Sequence, residues 1–545
     1  LAEQAIRLVN RQHMVYPDNP FFLYFALGAG HAPHQAPKEY IDHYKGAFDA
    51  GWDEIREQWF ANQKRLGIVP ENTVLNPRNE FVKPWNELTD DEKKVYARYM
   101  EVYAGFLEHA DAQIGKVVDY LKEIGEFENT VIVLLSDNGA SAEGGKNGRV
   151  NQEKSLNLLE ETNNVELTLK HLEELGSSAY SNPHYPVGWA NAGNTPFQWY
   201  KSWVHSGGVK DPLIVSYQYL HVIDIAPTIL DILGVDKPDH IKGIAQKPYH
   251  GASFAGTFDD AEAPDVRHIQ YYEQTGNRGI WKDGWKAITN HIYDKDYINE
   301  TWELYHVAED FSESENVAEQ YPDKLKELIA LWYVQAGKYG VLPLGDGPYL
   351  TQKPEELLNV VKENKFYIEP QKFSYHGVLH PLDITTKTMF NRRNHKITVQ
   401  IAHEPDQEGI LYAAGNRFGG YVLFIQENRL KYAYNYHREQ VFQVTSADPL
   451  PEGNVTVQVQ FRLTDKGTAV AELWVNGISQ GKTEITGFIF MMETHAYLKD
   501  GGTSPIIDDY KLPFEYPSPL LKVEIEAAGF WADKKELEEQ FFRID

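Results

Sequence analysis

The 545 residues contain no cysteine. Disulfides, thiolate metal sites and cysteine nucleophiles are therefore outside the chemistry this chain can supply, and its redox compartment goes unmarked. Basic residues are scarce, 52 Lys and Arg against 79 Asp and Glu, for a formal net charge of −27. A surface of that sign repels nucleic acid and anionic membranes. A buried site answers to its few local charges instead, so a small anionic substrate stays open. Long hydrophobic runs are missing too: FFLYFALGAG, residues 21–30, has about half the ~20 apolar residues a membrane span needs. No repeat or low-complexity tract is present. The chain opens at Leu1 directly in an amphipathic LAEQAIRLVNRQ, with no charged leader and no small-residue cleavage site. We expect that an N-terminal part precedes it.

What is present suffices for packed domains. Apolar residues make up 42% and aromatics 13%, and the length suggests about three domains. The first section alternates helix and strand. FFLYFALGA reads as a buried strand ending at His31. Thr89 followed by Glu92 is a capping box, and apolar residues from Val95 through Tyr99, Val102, Phe106, Ile114 and Val117 to Leu121 recur three or four apart until Gly125. TVIVLLSD follows as a second buried strand. Strand, long helix, strand predicts an α/β layer around a parallel sheet. A polar helix at about 162–175 and a further buried strand, PLIVSY, come next, then a helix opened by Asp224-Ile225-Ala226-Pro227 and closed by Gly234. From about His268 the pattern is antiparallel, with a hairpin on Asp283-Gly284, a strand WELYHV and a helix from Pro322. Beyond a Pro- and Gly-punctuated stretch, period-two alternation takes over in KITVQIAHE, YVLFIQENRLKYAYNY, VTVQVQFRL and AELWVNGIS, with a turn at Asn476-Gly477. That is an all-β module, most simply a sandwich, closed by a short helix at about 533–542.

In open α/β sheets ligands bind beyond the carboxyl ends of the strands. Two predicted strands end there in polar groups: His31, and the pair Asp137-Asn138. Each suits an ordinary turn, since Asp, Asn and Gly are turn formers. Together they put an imidazole, a carboxylate and an amide on one rim, and Asp with Asn offers a cation oxygen alone, the preference of Ca²⁺ or Mg²⁺ over zinc. Lys201 sits among Phe197, Trp199, Tyr200 and Trp203 ahead of Gly207-Gly208. It is either a snorkelling side chain or a point charge in a cleft.

These segments resemble the sulfatase family of the alkaline-phosphatase superfamily, specifically the large bacterial arylsulfatases. The matching stretches are GHAPHQAP (30–37), ARYMEVYAGFLEHAD (97–111), LSDNGASAEGG (135–145), NTPFQWYK with SGGVKDPLIV (194–215), HVIDIAPTIL (221–230), GNRGIWKDGWKAI (276–288) and ELYHVAEDFSESENVA (303–318). The resemblance implies an alkaline-phosphatase-like sheet flanked by helices, a small antiparallel α+β subdomain and a C-terminal β-sandwich. We place these at 1–267 and 268–345, with a linker at 346–372 and the sandwich module at 373–545. Residue by residue, the resemblance makes Asp137 and Asn138 metal ligands, calcium being the usual ion. It makes His31 a contact to the sulfate and its ester oxygen, and Lys201 a sulfate-binding residue that assists the leaving group. His34 has no firm counterpart and reads as structural or substrate-facing.

The chain also departs from the family. Sulfatases act through a formylglycine made from Cys or Ser in a Cys/Ser-x-Pro-x-Arg motif. Here Ser181-Asn182-Pro183 continues into His184-Tyr185 with no arginine, and cysteine is absent. A second gap is expected near 216–220. The implied activity is therefore hydrolysis of a small-molecule sulfate ester, with this chain alone inactive. A phosphonate monoester hydrolase or phosphodiesterase of the same superfamily, and an inactive sulfatase-like fragment whose β module binds or packs, stand as alternatives.

Overall fold

The computed structural model describes residues 1–151, 164–178, 181–211, 219–258, 260, 263–291, 297–344, 367–368, 370–384, 393–438, 440–465, 468–487, 496–502 and 504–531. They form two compact units. One comprises 1–31, 39–148 and 185–350; the other 32–38, 149–184 and 351–545. The predicted strand PLIVSY, most of the linker and the terminal helix lie outside the described residues.

In the first unit, helix Asp90–Glu123 is the spine. Its capping box forms as the sequence predicts: Glu92 N–H donates to Thr89 Oγ1 at 3.2 Å, and Thr89 N–H to the Glu92 carboxylate at 2.7 Å. Each bond satisfies an N–H that has no partner within the helix. Helix Ala2–Val15 packs on it through Ala2, Ala5 and Val117, joined by Ile6, Leu23 and Phe25. An aromatic core of Trp52, Trp85, Tyr96 and Trp189 sits alongside, with Trp52–Trp85 centroids 4.8 Å apart. The buried Trp189 indole N–H is satisfied by the Tyr96 carbonyl at 2.7 Å.

The two segments expected as buried strands differ from that expectation. Residues 21–27 and 131–134 carry no β-ladder, and Leu135 alone makes a bridge. Leu23 and Phe25 pack inward on the two helices, whereas Phe22, Tyr24, Ile132 and Leu134 are 81%, 83%, 48% and 53% exposed. A strand is buried by its neighbours on both edges and both faces. Among the described residues the first segment has a helical layer on one side, and neither segment has a ladder partner strand.

A four-stranded antiparallel sheet, Ile269–Gln274, Asn277–Lys282, Trp285–Thr289 and Glu303–Tyr305 in sequence order, completes this unit. Its second hairpin turns on Asp283-Gly284, both left-handed (φ 46° and 81°), as a two-residue hairpin of this type demands. Helix Pro322–Lys338 covers the sheet through Leu328, Trp332 and Ala336.

The second unit contains the β-sandwich, two six-stranded antiparallel sheets. One runs 478–486, 468–475, 453–465, 395–403, 520–527, 371–378 in spatial order, and the other 440–445, 429–436, 419–426, 409–416, 496–498, 382–383. Ile397, Val399, Leu423, Tyr432, Val457, Leu473 and Val523 fill the space between them. YVLFIQENRLKYAYNY proves to be two strands, split by Glu427 and Asn428 in the left-handed region (φ 57° and 55°). Strands 409–416 and 419–426 are buried almost throughout, because Ile506, Ile507 and Tyr510 pack on the second sheet's outer side against Ile410, Val422 and Phe424.

Candidate functional site

The site is built on close contact between two backbones. Gly139 follows the Asp137-Asn138 pair, and its N–H donates to the Gly208 carbonyl at 3.2 Å. A Cβ on Gly139 would lie 1.8 Å from the Gly207 carbonyl oxygen, and one on Gly207 would lie 2.2 Å from that of Gln198. Glycine is the residue that lets backbones approach so closely. The next residue ties the same segments again. Ala140 N–H donates to Asn194 Oδ1 at 2.9 Å, and the Ala140 carbonyl accepts from Lys201 N–H at 3.0 Å. Asn194 also donates to the Trp199 carbonyl at 3.0 Å. The Asp-Asn segment and the lysine loop are thereby fixed to each other.

The lysine loop holds an unusual shape. Trp199 and Ser202, on either side of Lys201, are left-handed (φ 63° and 79°), which side chains tolerate only when their surroundings enforce it. Trp199 stacks on Trp203 at 4.0 Å between ring centroids. Downstream, the buried Glu313 carboxylate accepts from Ser206 N–H (2.9 Å), Ser206 Oγ (2.7 Å) and Lys286 Nζ (2.7 Å). Burial disfavours the Glu313 charge, but Lys286, His205 and these hydrogen bonds outweigh burial and hold its pKa below the usual carboxylate value. His205, fully buried, is 3.0 Å from Glu303.

Lys201 carries its ammonium to 3.5 Å from His31 Nε2 and 3.0 Å from Glu143 Oε1. His31 and Lys201 lie 170 residues apart in sequence, so the fold brings together the two residues singled out for sulfate contact. Asp137 is exposed and Asn138 half-buried. Asp211, two residues past the glycine pair's helical turn (Ser206–Val209), is pushed up to about 7 by burial and then by the negative charge of Asp137. His34 belongs to the second unit, buried with its ring 4.8 Å from His184 and its N–H on the Pro183 carbonyl at 2.9 Å.

A hard divalent cation is the group the sequence implies here. Asp137 and Asn138 offer oxygen donors, and the raised pKa of Asp211 marks a second carboxyl within electrostatic reach of Asp137. A cation would relieve that repulsion. Among the described residues, however, no group of three or more His, Asp or Glu is arranged to hold a metal. The donors present fit calcium or magnesium as part of a coordination shell and do not complete one.

Three contributors escaped the sequence reading. Glu143 lies in the same run as Asp137 and is the single acid among small residues. Asp211 stands before Pro212, and Asn194 reads as a loop residue. Only Glu143 carried a signal, a lone charge within a glycine-rich turn.

The family model described as Sulfatase matches residues 1–235. Over 361 residues the chain is 36% identical to an uncharacterized sulfatase of Schizosaccharomyces pombe, covering 63% of this chain and 62% of that one. Over 243 residues it is 32% identical to an arylsulfatase of Klebsiella aerogenes, covering 42% and 49%. The chain thus spans between about half and three fifths of the length of these two relatives. A crystal structure of Ps i-CgsB in complex with k-i-k-neocarrahexaose matches with 18% identity and a TM-score of 0.37, covering 65% of this chain and 57% of that one.

Proposed function

Residues 1–235 belong to the sulfatase family, and from that premise we propose that the chain carries the metal-binding and sulfate-binding side of an arylsulfatase active site. The observation that carries the reading is the approach of Lys201 to His31, 3.5 Å apart across 170 residues of sequence, on a loop bonded to the residues just after Asp137-Asn138. In this reading 1–267 is the catalytic domain, 268–345 its subdomain, 346–372 a linker and 373–545 a β module with a structural role.

A sulfate monoester is an anion, so attack at sulfur requires its charge to be balanced and its leaving oxygen stabilised. Lys201 supplies a point charge to a sulfate oxygen. His31 stands where it can donate a hydrogen bond or proton toward the bridging oxygen. Asp137 and Asn138 would hold the calcium ion, with magnesium as a substitute. Bound calcium would supply Lewis-acid polarisation of the sulfate. The nucleophile of the family's chemistry, a formylglycine, has no source among these 545 residues, which contain no cysteine and no Ser-x-Pro-x-Arg.

The test has two arms. Inorganic sulfate should bind the 545-residue chain in the presence of Ca²⁺ by calorimetry, and Lys201→Ala should weaken it at least tenfold. The same chain, its mass verified, should not turn over 4-nitrophenyl sulfate. Unchanged sulfate affinity in Lys201→Ala, or turnover by the verified chain, would overturn the assignment. In an active preparation, preference for 4-nitrophenyl phosphate or a phosphonate ester over the sulfate would replace it with the phosphorus-ester reading.

A further inference from the structure

Helix Gly51–Arg65 buries Gly51, Trp52, Ile55 and Arg56. Residues three and four apart share one helix face, so Arg56 stands on the same face as Trp52, which packs with Trp85, Tyr96 and Trp189 in the aromatic core. A charge in such a place is costly unless acceptors come with it. Arg56 is 5% exposed, and its Nε and Nη2 are buried and meet no acceptor among the described residues. Those two nitrogens carry hydrogens on one edge of the guanidinium. It is an edge that takes a two-oxygen anion through a pair of parallel hydrogen bonds.

The neighbouring charges do not close the balance. Among the described residues, Asp53 and Arg78 are the charged groups that act on Arg56. The Asp53 carboxylate is already used twice, accepting from Arg78 Nη1 at 2.6 Å and from the Trp85 N–H at 2.8 Å. Two guanidiniums thus share one carboxylate, and one positive charge is left over. Burial pulls the Arg56 pKa down to about 10, with Asp53 opposing it, which still leaves the group charged at neutral pH. We propose that the free edge of Arg56 is a binding site for a small monovalent oxyanion of the carboxylate class, with formate as its smallest member. The surplus of one charge selects a monovalent ion, the two parallel donors select two oxygens in one plane, and burial excludes a large molecule. The site uses none of the residues assigned to sulfate or metal. Because the fork exists only when the helix is packed, the anion binds the folded chain alone and stabilises it.

Thermal unfolding of the full chain is followed by tryptophan fluorescence at constant ionic strength. Sodium formate is exchanged stepwise for sodium 2-(N-morpholino)ethanesulfonate, whose anion is too large to be buried. The melting temperature of the parent should rise along a saturating curve, the folding equilibrium gaining about tenfold at ten times the formate Kd. Arg56→Met should be as stable as the parent or more so without formate, since it removes an uncompensated buried charge, and formate should leave it unmoved. Arg56→Lys keeps a point charge without the fork and should need at least tenfold more formate for the same rise. An unresponsive parent would overturn the proposal, and so would an equal rise in the parent and Arg56→Met, which marks a general salt effect. If Arg56→Met does not fold, the parent and Arg56→Lys decide, and an equal formate response in those two refutes the fork. Sodium chloride in place of formate checks the need for two oxygens: a response as large as that to formate refutes the carboxylate class.

Discussion

Replacing Gly139 by alanine tests whether the contact between the two backbones makes the site. The added Cβ would stand 1.8 Å from the Gly207 carbonyl oxygen and 2.9 Å from its carbon, where ordinary contact begins near 3.4 Å. The obstacle is backbone on one side and the strap that carries Asp137 and Asn138 on the other, so no rotamer change relieves it. The segments must separate by about 1.5 Å, the shortfall from ordinary van der Waals contact. That separation breaks the Gly139 N–H bond to Gly208 and strains the paired bonds through Ala140, Asn194 and Lys201. Overpacking of this kind costs about 1–3 kcal/mol, and the lost hydrogen bond adds about 1 kcal/mol. Urea denaturation should accordingly show a loss of about 2–4 kcal/mol. Because the same movement draws Asp137 and Asn138 away from Lys201, sulfate affinity in the presence of Ca²⁺ should fall as well. Gly115→Ala is the control: it lies within helix Asp90–Glu123 with nothing within 4 Å of an added Cβ, and should stabilise by about 0.5–1 kcal/mol. A Gly139→Ala protein within 0.5 kcal/mol of the parent by the same measurement, with sulfate binding intact, would refute the reasoning.

Two further perturbations probe what supports the site. Asp224 is fully buried, salt-bridged to Arg267 and bonded by the N–H groups of His221 (2.9 Å) and Ala252 (2.8 Å), so Asp224→Ala, which strands a buried guanidinium, should cost about 3–5 kcal/mol by denaturant unfolding. Burial pushes the Asp224 pKa up, but Arg267 and these hydrogen bonds outweigh it and hold it below its ordinary value; the stabilisation is therefore full above the unfolded value of about 4 and lost as pH falls through the lower folded value, and a stability–pH profile that stays flat from pH 5 to 2, in rough terms, would contradict this. Glu313 and Lys286 are both buried and 2.7 Å apart; either single replacement, Glu313→Gln or Lys286→Met, should destabilise by several kcal/mol, about 3–5, while the double replacement should cost clearly less because no charge is left unpaired, an outcome that additive losses would exclude.

How much of this was legible in the sequence follows from how local each cause is. The capping box of Thr89 and Glu92 acts across three residues, and the turns at Asp283-Gly284 and Asn476-Gly477 across two, so their residue types suffice to place them. Glu427-Asn428 was read through because neither residue is glycine and the apolar alternation continues across the turn; the strand twist on both sides imposes the left-handed conformation instead. The motifs single out His31, Asp137, Asn138 and Lys201 as candidates, and the fold places the side chains of His31 and Lys201 3.5 Å apart. The ion-pair partner of Lys201 was not legible, because Glu143 stands far from it in sequence and meets it only in the fold, at 3.0 Å. The buried strands were misjudged for a related reason: FFLYFALGA and TVIVLLSD record by their apolar side chains a need for cover, but composition cannot say which segment supplies it. The described residues cover one side of the first with helices Ala2–Val15 and Asp90–Glu123 and leave Phe22 and Tyr24 open. Rigidity of Asp137 and Asn138 in this structure therefore comes less from the strand before them than from the glycine contact and the Asn194 and Lys201 hydrogen bonds after them. That is why a single methyl group at Gly139 should disturb the site more than loss of an apolar side chain at exposed Ile132 or Leu134.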